Sequence, residues 1–321
     1  MAEHGVQVTV VTGRTKSPGK VIVEHKKPNL TVVRVWFPDK PIRQLWYQII
    51  NKELILRLAR KHDLIHTNHI ATSLIIEDLK KTKKPIITTI HGSMIDYVRA
   101  FFSAPKADLI RYSTLHDYLM CTMRAGLIIT MEKEEYLNSD CLIFVAKHVK
   151  NSFKLNYGDT PAISKVIYPA VLKRSTNDEY VMKLRKSYKS PKLYFSGRLY
   201  FPKGITYAIE SFKRIIDVYP KAELYVFGQG PLKSKIQKIL NDEPKLNKHI
   251  RLCGQISRSK LLTLIKNFDC LLFPSLYEAF PLSMFEAIST GIPVSVFDFP
   301  WIQEFKSSFH SLIAMAKPFD I

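Results

Sequence analysis

DCLLFPSLYEAFPLSMFEAISTGIPVSVFD (269–298) holds a strand, a turn, a helix and a second strand in immediate succession. DCLLFPS (269–275) is a short apolar run that ends in turn residues, and IPVSVFD (292–298) is another. Between them, 281–290 has a helical pattern that begins near Pro281, a residue favoured in a first helical turn. A strand that crosses over through a helix into the next strand predicts a parallel pair, and parallel sheets need helices on both faces.

The same alternation extends outward. KLYFSGR (192–198), AELYVFGQG (222–230) and HIRLCG (249–254) read as strands, with helical stretches at 204–218, 231–241 and 258–267. In the first half VQVTVVTG (6–13), LTVVRVWF (30–37), HDLIHTN (62–68) and KPIITTIHG (84–92) read as strands. Pro41 to Lys61 carries an amphipathic pattern with Leu45, Ile49, Ile50, Leu54 and Leu58 on its apolar side. Two such series predict an α/β protein of two doubly wound domains, 1–170 and 171–321. The joint is expected near 169–191, where Pro169, Lys173, Arg174, Ser175, Thr176 and Asn177 form a polar stretch. Both ends read as incomplete. The chain opens on what looks like a helix end capped by Gly5, and it stops about twenty residues past the last clear strand.

The length of 321 residues suits two domains at about 100–200 residues each. A hydrophobic share of 46% and a charged share of 24% exclude a collagen-like, disulfide-rich or largely disordered chain. No window is long and apolar enough to predict a membrane-crossing helix, and MAEHGVQVTVVTG lacks the layout of a secretory signal. Cys121, Cys141, Cys253 and Cys270 show no CxxC spacing and read as free buried thiols, which predicts a reducing cytoplasm. The formal net charge of +20 is spread over both halves, so the surface should attract polyanions: nucleic acid, an anionic membrane face or phosphorylated small molecules. Nothing resembles a helix-turn-helix, zinc finger or RNA-binding sheet motif, so no specific nucleic-acid partner is expected.

Several residues invite chemistry. Glu278 follows the strand at 269–275, and Glu286 lies eight positions later inside the helix. At the C-terminal edge of an open α/β sheet, where ligands bind, two such carboxylates can face one cleft and grip a vicinal diol. They also fit a loop cap and a solvated helix residue. FSGRLYFPKGITYAIESF (195–212) places Arg198 and Lys203 in the turn before a helix near Gly204. Two cations at a helix N-terminus form a diphosphate site, although basic loop residues are often only solvated. His91 stands just past the strand of TTIHGS (88–93). His62, His66 and His69 have metal-like helical spacing, but DLIH is a strand pattern that would not converge them, so no metal site is expected.

PSLYEAFPLSMFEAISTGIPV (274–294) resembles the signature of retaining glycosyltransferases of family 4, which have the GT-B fold. That signature sets two glutamates with seven residues between them in a Pro-Ser-x-x-Glu-x-Phe-Pro-x-x-x-x-Glu-Ala setting followed by Gly-x-Pro-Val. Pro274, Ser275, Glu278, Phe280, Pro281, Glu286, Ala287, Gly291, Pro293 and Val294 all stand here. Arg198, Lys203 and Gly204 resemble the family's Gly-Arg-x-x-x-x-Lys-Gly turn, and VFGQGP (226–231) its Gly-x-Gly-Pro strand end. DLIHTNH (63–69) and the turn at His91 resemble two N-domain strand ends. Two departures stand out. Ala146 takes the place of a family Ser after the apolar run, and VIYPAV (166–171) lacks the family's Asn and Gly.

The resemblance implies two Rossmann-like domains facing across a cleft, the N-domain without its first strand and the C-domain without its final helices. It implies a nucleotide-diphosphate sugar as donor substrate and a sugar transfer with retention to a glycan or lipid-linked acceptor. Arg198 and Lys203 would hold the pyrophosphate, Glu286 the ribose hydroxyls, and Glu278 the donor sugar's hydroxyls. Gly228 and Gly230 would line the nucleotide pocket, with Phe280 and Pro281 in the Glu278 loop. His91, Glu278, Arg198 and Lys203 form the expected catalytic set. With both phosphates held by Arg and Lys, no divalent metal and no other cofactor are expected. RQLWYQIINKELILRLARKH (43–62) reads either as a helix that docks on an anionic membrane or as one packed on the sheet with a basic outer face. A cytoplasmic protein, peripheral at the inner face of the cell membrane, is the expected location. The alternative reading is a catalytically inactive relative that binds nucleotide-sugar or serves as a partner subunit.

Overall fold

The structure, a computed structural model, describes residues 2–13, 17–39, 43–171 and 190–320. Lys173 to Asn177 of the expected joint lie outside them. Packing divides the chain into two compact units. The first comprises Met1–His91, Gly126–Val145 and Phe153–Ile167; the second comprises Gly92–Ala125, Ala146–Ser152 and Tyr168–Ile321.

The first unit opens with β1 (Val8–Gly13), β2 (Ile22–Lys27) and β3 (Leu30–Val35), followed by α1 (Arg43–Arg60). β3 lies between β1 and β2, parallel to the first and antiparallel to the second. The sequence pattern did not mark β2. Its signal is the Pro28–Asn29 turn between two β-branched runs, with Lys27 paired to Leu30 across it. β4 (Ile65–Asn68), α2 (Ile76–Lys80) and β5 (Ile86–Ile90) come next. The chain then makes α3 (Met94–Phe102), α4 (Lys106–Tyr112), α5 (Leu115–Leu119) and one π-helical turn (Met120–Arg124), all in the second unit. It continues with α6 (Ala125–Asn138), β6 (Cys141–Phe144), α7 (Lys147–Tyr157) and β7 (Ile163–Val166). β4, β5, β6 and β7 form a second, wholly parallel sheet in that order. The single doubly wound sheet expected for this half is therefore two sheets, one of them mixed.

α1 buries a different face from the one its apolar spacing suggests. Gln48, Asn51, Ile55, Leu56 and Ala59 are inside, while Ile49 and Ile50 are 54% and 43% exposed. The buried amides explain the rotation. Gln48 donates to the Ile70 carbonyl at 2.9 Å and accepts from the Leu74 N–H at 2.7 Å; Asn51 donates to the Trp36 carbonyl at 3.1 Å. These bonds serve backbone groups that would otherwise be buried without partners. Ile55, Leu56 and Ala59 then pack with Ile75, Ile76, Leu79 and Ile86.

The second unit contains β8 (Lys192–Ser196), α8 (Ile205–Val218), β9 (Glu223–Phe227), α9 (Lys233–Asp242), α10 (Pro244–His249) and β10 (Ile250–Gly254). α11 (Arg258–Leu264), β11 (Cys270–Phe273), α12 (Leu282–Ile288), β12 (Val294–Phe297), α13 (Pro300–Phe309) and β13 (Ile313–Ala316) complete it. The six strands are all parallel, in the order β10-β9-β8-β11-β12-β13. This is the doubly wound order 3-2-1-4-5-6, whose winding reverses between its first and fourth strands, here β8 and β11. Ligands bind where such sheets reverse, outside the carboxyl ends of those two strands. β13 was not marked by the sequence pattern; its four residues, Ile313–Ala316, are short for an apolar run. Tyr207, Phe212 and Ile216 of α8 are buried, along with Leu224 and Leu271 from the sheet. Each such side chain contributes about 1.5–3 kcal/mol through burial.

The four cysteines are free. Cys121 is buried, and burial pushes both its thiol and that of Cys270 up to about 12. Cys253 is exposed, against the expectation that all four are inside.

Candidate functional site

At the reversal point, backbone meets backbone so closely that glycine is required. Gly204 has φ +72°, and a Cβ there would lie 1.8 Å from the Pro274 carbonyl oxygen. The turn after β8 is thus pressed against the end of β11. Gly228 has φ +146°, and its Cβ would lie 1.8 Å from the Gly197 carbonyl oxygen; at Gly230 the obstacle is the Leu199 carbonyl oxygen at 2.3 Å. These two glycines let the β9 loop lie on the β8 loop, where Leu199 N–H donates to Gln229 at 3.0 Å.

Gly204 also serves as the N-cap of α8, and no side chain caps that helix. Its first-turn N–H groups therefore keep their capacity to bind an anion. Arg198 stands in the preceding turn, its guanidinium carbon 5.1 Å from the Tyr200 ring centre. Among the described residues it makes no salt bridge to a carboxylate. A cavity of about 420 Å³ opens beside it, lined by Gly197, Arg198, Gly228, Gln229, Gln255 and Ile256 among others.

Lys203 ends a 3-10 turn (Phe201–Lys203) and pairs directly with Glu278, whose side chain is 8% exposed. Burial pushes the Lys203 ammonium down, but the Glu278 carboxylate outweighs it and holds the pKa above its ordinary value. Arg198 and Tyr200 lie within electrostatic reach of the same ammonium. Ser275 donates to Glu278 Oε1 at 2.8 Å. Phe280 stacks on Phe285 with ring centres 4.8 Å apart, and Pro281 is the N-cap of α12 rather than its first residue. Glu286 lies in α12, 7% exposed, and accepts from Arg258 Nε at 2.5 Å.

Arg198, Lys203 and Glu278 thus share one neighbourhood in the second unit. Glu286 is joined to it through the Arg258 turn, whose neighbours Gln255 and Ile256 line the cavity with Arg198 and Gly228. Arg258 carried no mark in the sequence, since a basic residue opening a surface helix is ordinary. Its only signal is a position between cavity-lining residues of the β10–α11 turn.

His91 belongs to the first unit. It follows β5, and its Nε2 lies 3.2 Å from Asn68 Oδ1. Partial desolvation, with the imidazoles of His69 and His66 adding to it, pushes its pKa down, which favours the neutral ring. His62 contacts Thr9, His66 contacts Thr89, and His69 contacts Glu132, so the three have separate partners. Among the described residues no group of three or more His, Cys, Asp or Glu could hold a metal ion. Ala146 is fully buried.

Residues 1–171 match the family model described as Glycosyltransferase Family 4, and residues 176–311 match the one described as Glycosyl transferases group 1. The first of these matches spans more than half of the chain, so the chain belongs to glycosyltransferase family 4. An uncharacterized glycosyltransferase of Methanocaldococcus jannaschii is 30% identical over 264 residues, covering 78% of this chain and 60% of that protein. The UDP-Gal:alpha-D-GlcNAc-diphosphoundecaprenol alpha-1,3-galactosyltransferase of Escherichia coli is 24% identical, over 78% of this chain and 59% of its own. The chain therefore spans about 60% of the length of these two relatives. The sucrose-phosphate synthase of Thermosynechococcus elongatus superposes with a TM-score of 0.74 at 18% identity, over 99% of this chain and 78% of that one. The fold is GT-B, built from Rossmann-like units.

Proposed function

We propose that this chain transfers a hexosyl-type sugar from a nucleotide-diphosphate sugar to a glycan or lipid-linked acceptor, with retention of configuration. The observation that carries this is Arg198, which makes no described salt bridge, set beside the uncapped N-terminus of α8 and the Lys203–Glu278 pair at the reversal point of the sheet. The cavity of about 420 Å³ suits a nucleotide, within the roughly 300–1,000 Å³ range of small-molecule sites.

In this reading Glu286, steadied by Arg258, takes the ribose hydroxyls. Gly228 and Gly230 shape the pocket, and Phe280 and Pro281 brace the loop that presents Glu278 to the donor sugar. Negative charge grows on the leaving diphosphate as the sugar carbon becomes oxocarbenium-like. In this reading Arg198, Lys203 and the α8 amides meet that charge, so their stabilisation is greatest in the transition state. The acceptor hydroxyl attacks the face the diphosphate leaves as the sugar–phosphate C–O bond breaks, its proton passing to the departing diphosphate oxygen, so this scheme assigns neither glutamate the part of nucleophile. His91 is the catalytic candidate of the first unit. The segment 1–170 serves the acceptor and 171–321 the donor.

Such a site needs no divalent metal. Nucleotide release from a panel of UDP-sugars should therefore survive EDTA and fall sharply in Arg198→Ala. Loss in EDTA that Mg²⁺ restores would reject metal independence, and an unimpaired Arg198→Ala would reject the site. The exposed Ile49 and Ile50 beside Lys52, Arg57 and Arg60 support docking of α1 on an anionic membrane at the cytoplasmic face. No described helix is long and apolar enough to cross a membrane. Vesicles of phosphatidylglycerol should bind the protein at low salt, and Ile49→Asp with Ile50→Asp should release it.

A further inference from the structure

The loop from Ser275 to Pro281 carries Glu278, and His148 holds that loop from outside the glutamate's own element. His148 is the second residue of α7. Its Nε2 lies 3.0 Å from the backbone carbonyl oxygen of Glu278, and its Nδ1 lies 2.8 Å from Glu304 Oε2. The ring thus spans two acceptor oxygens, one on the Glu278 peptide and one on Glu304. Its side chain is only 16% exposed.

Glu304 fixes the ring in turn. Its two oxygens accept from the backbone N–H groups of Lys147 and His148, each at 2.8 Å, and from the Tyr168 hydroxyl at 2.7 Å. A carboxylate on two adjacent amides at a helix start is a strong clamp, helped by the helix dipole. Phe305, the next residue of α13, meets the His148 ring edge-on and also packs against Phe280. The same loop is tied at Tyr277, whose hydroxyl accepts from the Ser93 N–H at 2.7 Å. Two contacts thus anchor this loop, Ser93 on Tyr277 and His148 on Glu278, and the second reaches the Glu278 backbone itself.

We propose that His148, oriented by Glu304, is a positioning residue that sets the height of the Glu278 carboxylate against the donor sugar. This rests on the reading of Glu278 given above. His148 touches no reacting atom; it acts by fixing the peptide from which Glu278 projects. A displacement of about 1 Å at a reacting group can lower a rate about 100-fold.

The experiment uses three substitutions of one residue. Gln places an amide nitrogen where Nε2 stands and can still donate to the Glu278 carbonyl. Asn places one where Nδ1 stands and can reach Glu304 but not the loop. Ala removes both bonds. Nucleotide release from UDP-galactose and related UDP-sugars is measured as kcat and KM, and hydrogen exchange is followed in the peptide spanning 276–282. His148→Ala and His148→Asn should lower kcat about 10- to 100-fold with little change in donor KM, and should raise exchange in that peptide. His148→Gln should restore both to near the parent values. Equal behaviour of Gln and Asn in kcat and in exchange would overturn the proposal. So would an unchanged kcat in His148→Ala alongside an inactive Glu278→Gln. A Glu278→Gln that retains full kcat would instead remove the reading of Glu278 itself. The exchange comparison stands whatever the turnover.

Discussion

In the first unit Glu135, on α6, accepts from the N–H groups of Ile70 and Thr72, each at 2.6 Å, and from the Thr72 hydroxyl at 2.8 Å. In the second unit Glu304, on α13, accepts from two adjacent N–H groups, a tyrosine hydroxyl and an imidazole. Each is a glutamate that pins two backbone amides. Their surroundings differ. Glu135 is 1% exposed, and burial wins over its hydrogen bonds, so its pKa is raised. Burial pushes Glu304 up as well, but its hydrogen-bond donors outweigh that, and its pKa is lowered. The same device therefore yields to burial in one unit and prevails over it in the other. The backbone beside Glu135 is strained as well: His69 and Ile70 have φ +23° and +52°, a region that side chains other than glycine's seldom adopt.

The largest expected effect separates the two clamps by stability. Glu135→Ala leaves the Ile70 and Thr72 N–H groups without this acceptor beside a strained turn, while the Thr72 hydroxyl keeps Thr67, and should lower the urea-derived stability by about 3–5 kcal/mol. Glu304→Ala exposes its amides more readily to water and should lower it by about 2–3 kcal/mol. If Glu304→Ala proves the more damaging, depth of burial is not what sets the two apart. A second contrast follows in activity. Lys203→Ala should lower sugar transfer about 10²- to 10³-fold, roughly 2.7–4 kcal/mol in the barrier, by analogy with a lost oxyanion donor. Glu135→Gln, which keeps one acceptor, should leave kcat unchanged while lowering stability. A large kcat loss in Glu135→Gln would mean the first clamp serves the chemistry as well as the fold.

The two units also differ in how far they could be read from sequence. In the second, five of the six strands lie inside apolar runs bounded by turn residues, most plainly the central β8 and β11, because a strand buried on both faces must be apolar. The turn carrying Arg198 and Lys203 was marked for a related reason: Gly204 is demanded by backbone contact, and the two basic residues precede it at fixed spacing, whereas Glu278 and Glu286 were marked by the family resemblance. In the first unit β2 reads Ile-Val-Glu-His-Lys-Lys, four of its six residues polar, because it lies at the edge of its sheet, where one side faces water. α1 misled through Gln48 and Asn51, which are inside because they serve the backbone. The ion pairs were not legible at all. Lys203 with Glu278 and Arg258 with Glu286 are 75 and 28 residues apart in sequence, and only the fold brings them together. His148, Glu135 and Glu304 escaped for the same reason, since a charged residue on a helix carries no mark of what it will face.

The smallest effect is the most direct test of the opposite signs. For Glu304 the folded pKa lies below the ordinary 4.5, so the unfolded chain binds the proton more readily. Its contribution is complete above pH 4.5 and is lost as the pH falls through the lowered folded value. For Glu135 the folded pKa lies above 4.5, so the native state binds the proton more readily. Its contribution is greatest below 4.5 and declines as the pH rises toward the raised folded value. Each unit of difference in pKa amounts to about 1.4 kcal/mol. Unfolding free energies measured from pH 3 to 8 for the parent, Glu135→Gln and Glu304→Gln should therefore diverge in opposite directions. The penalty of Glu304→Gln should shrink in acid, where the parent carboxylate is itself protonated. The penalty of Glu135→Gln should shrink as the pH rises, because the amide never pays the desolvation of a charge. Parallel curves for the two variants would show that the carboxylates sit in equivalent environments, and the contrast between the units would fail at its physical cause.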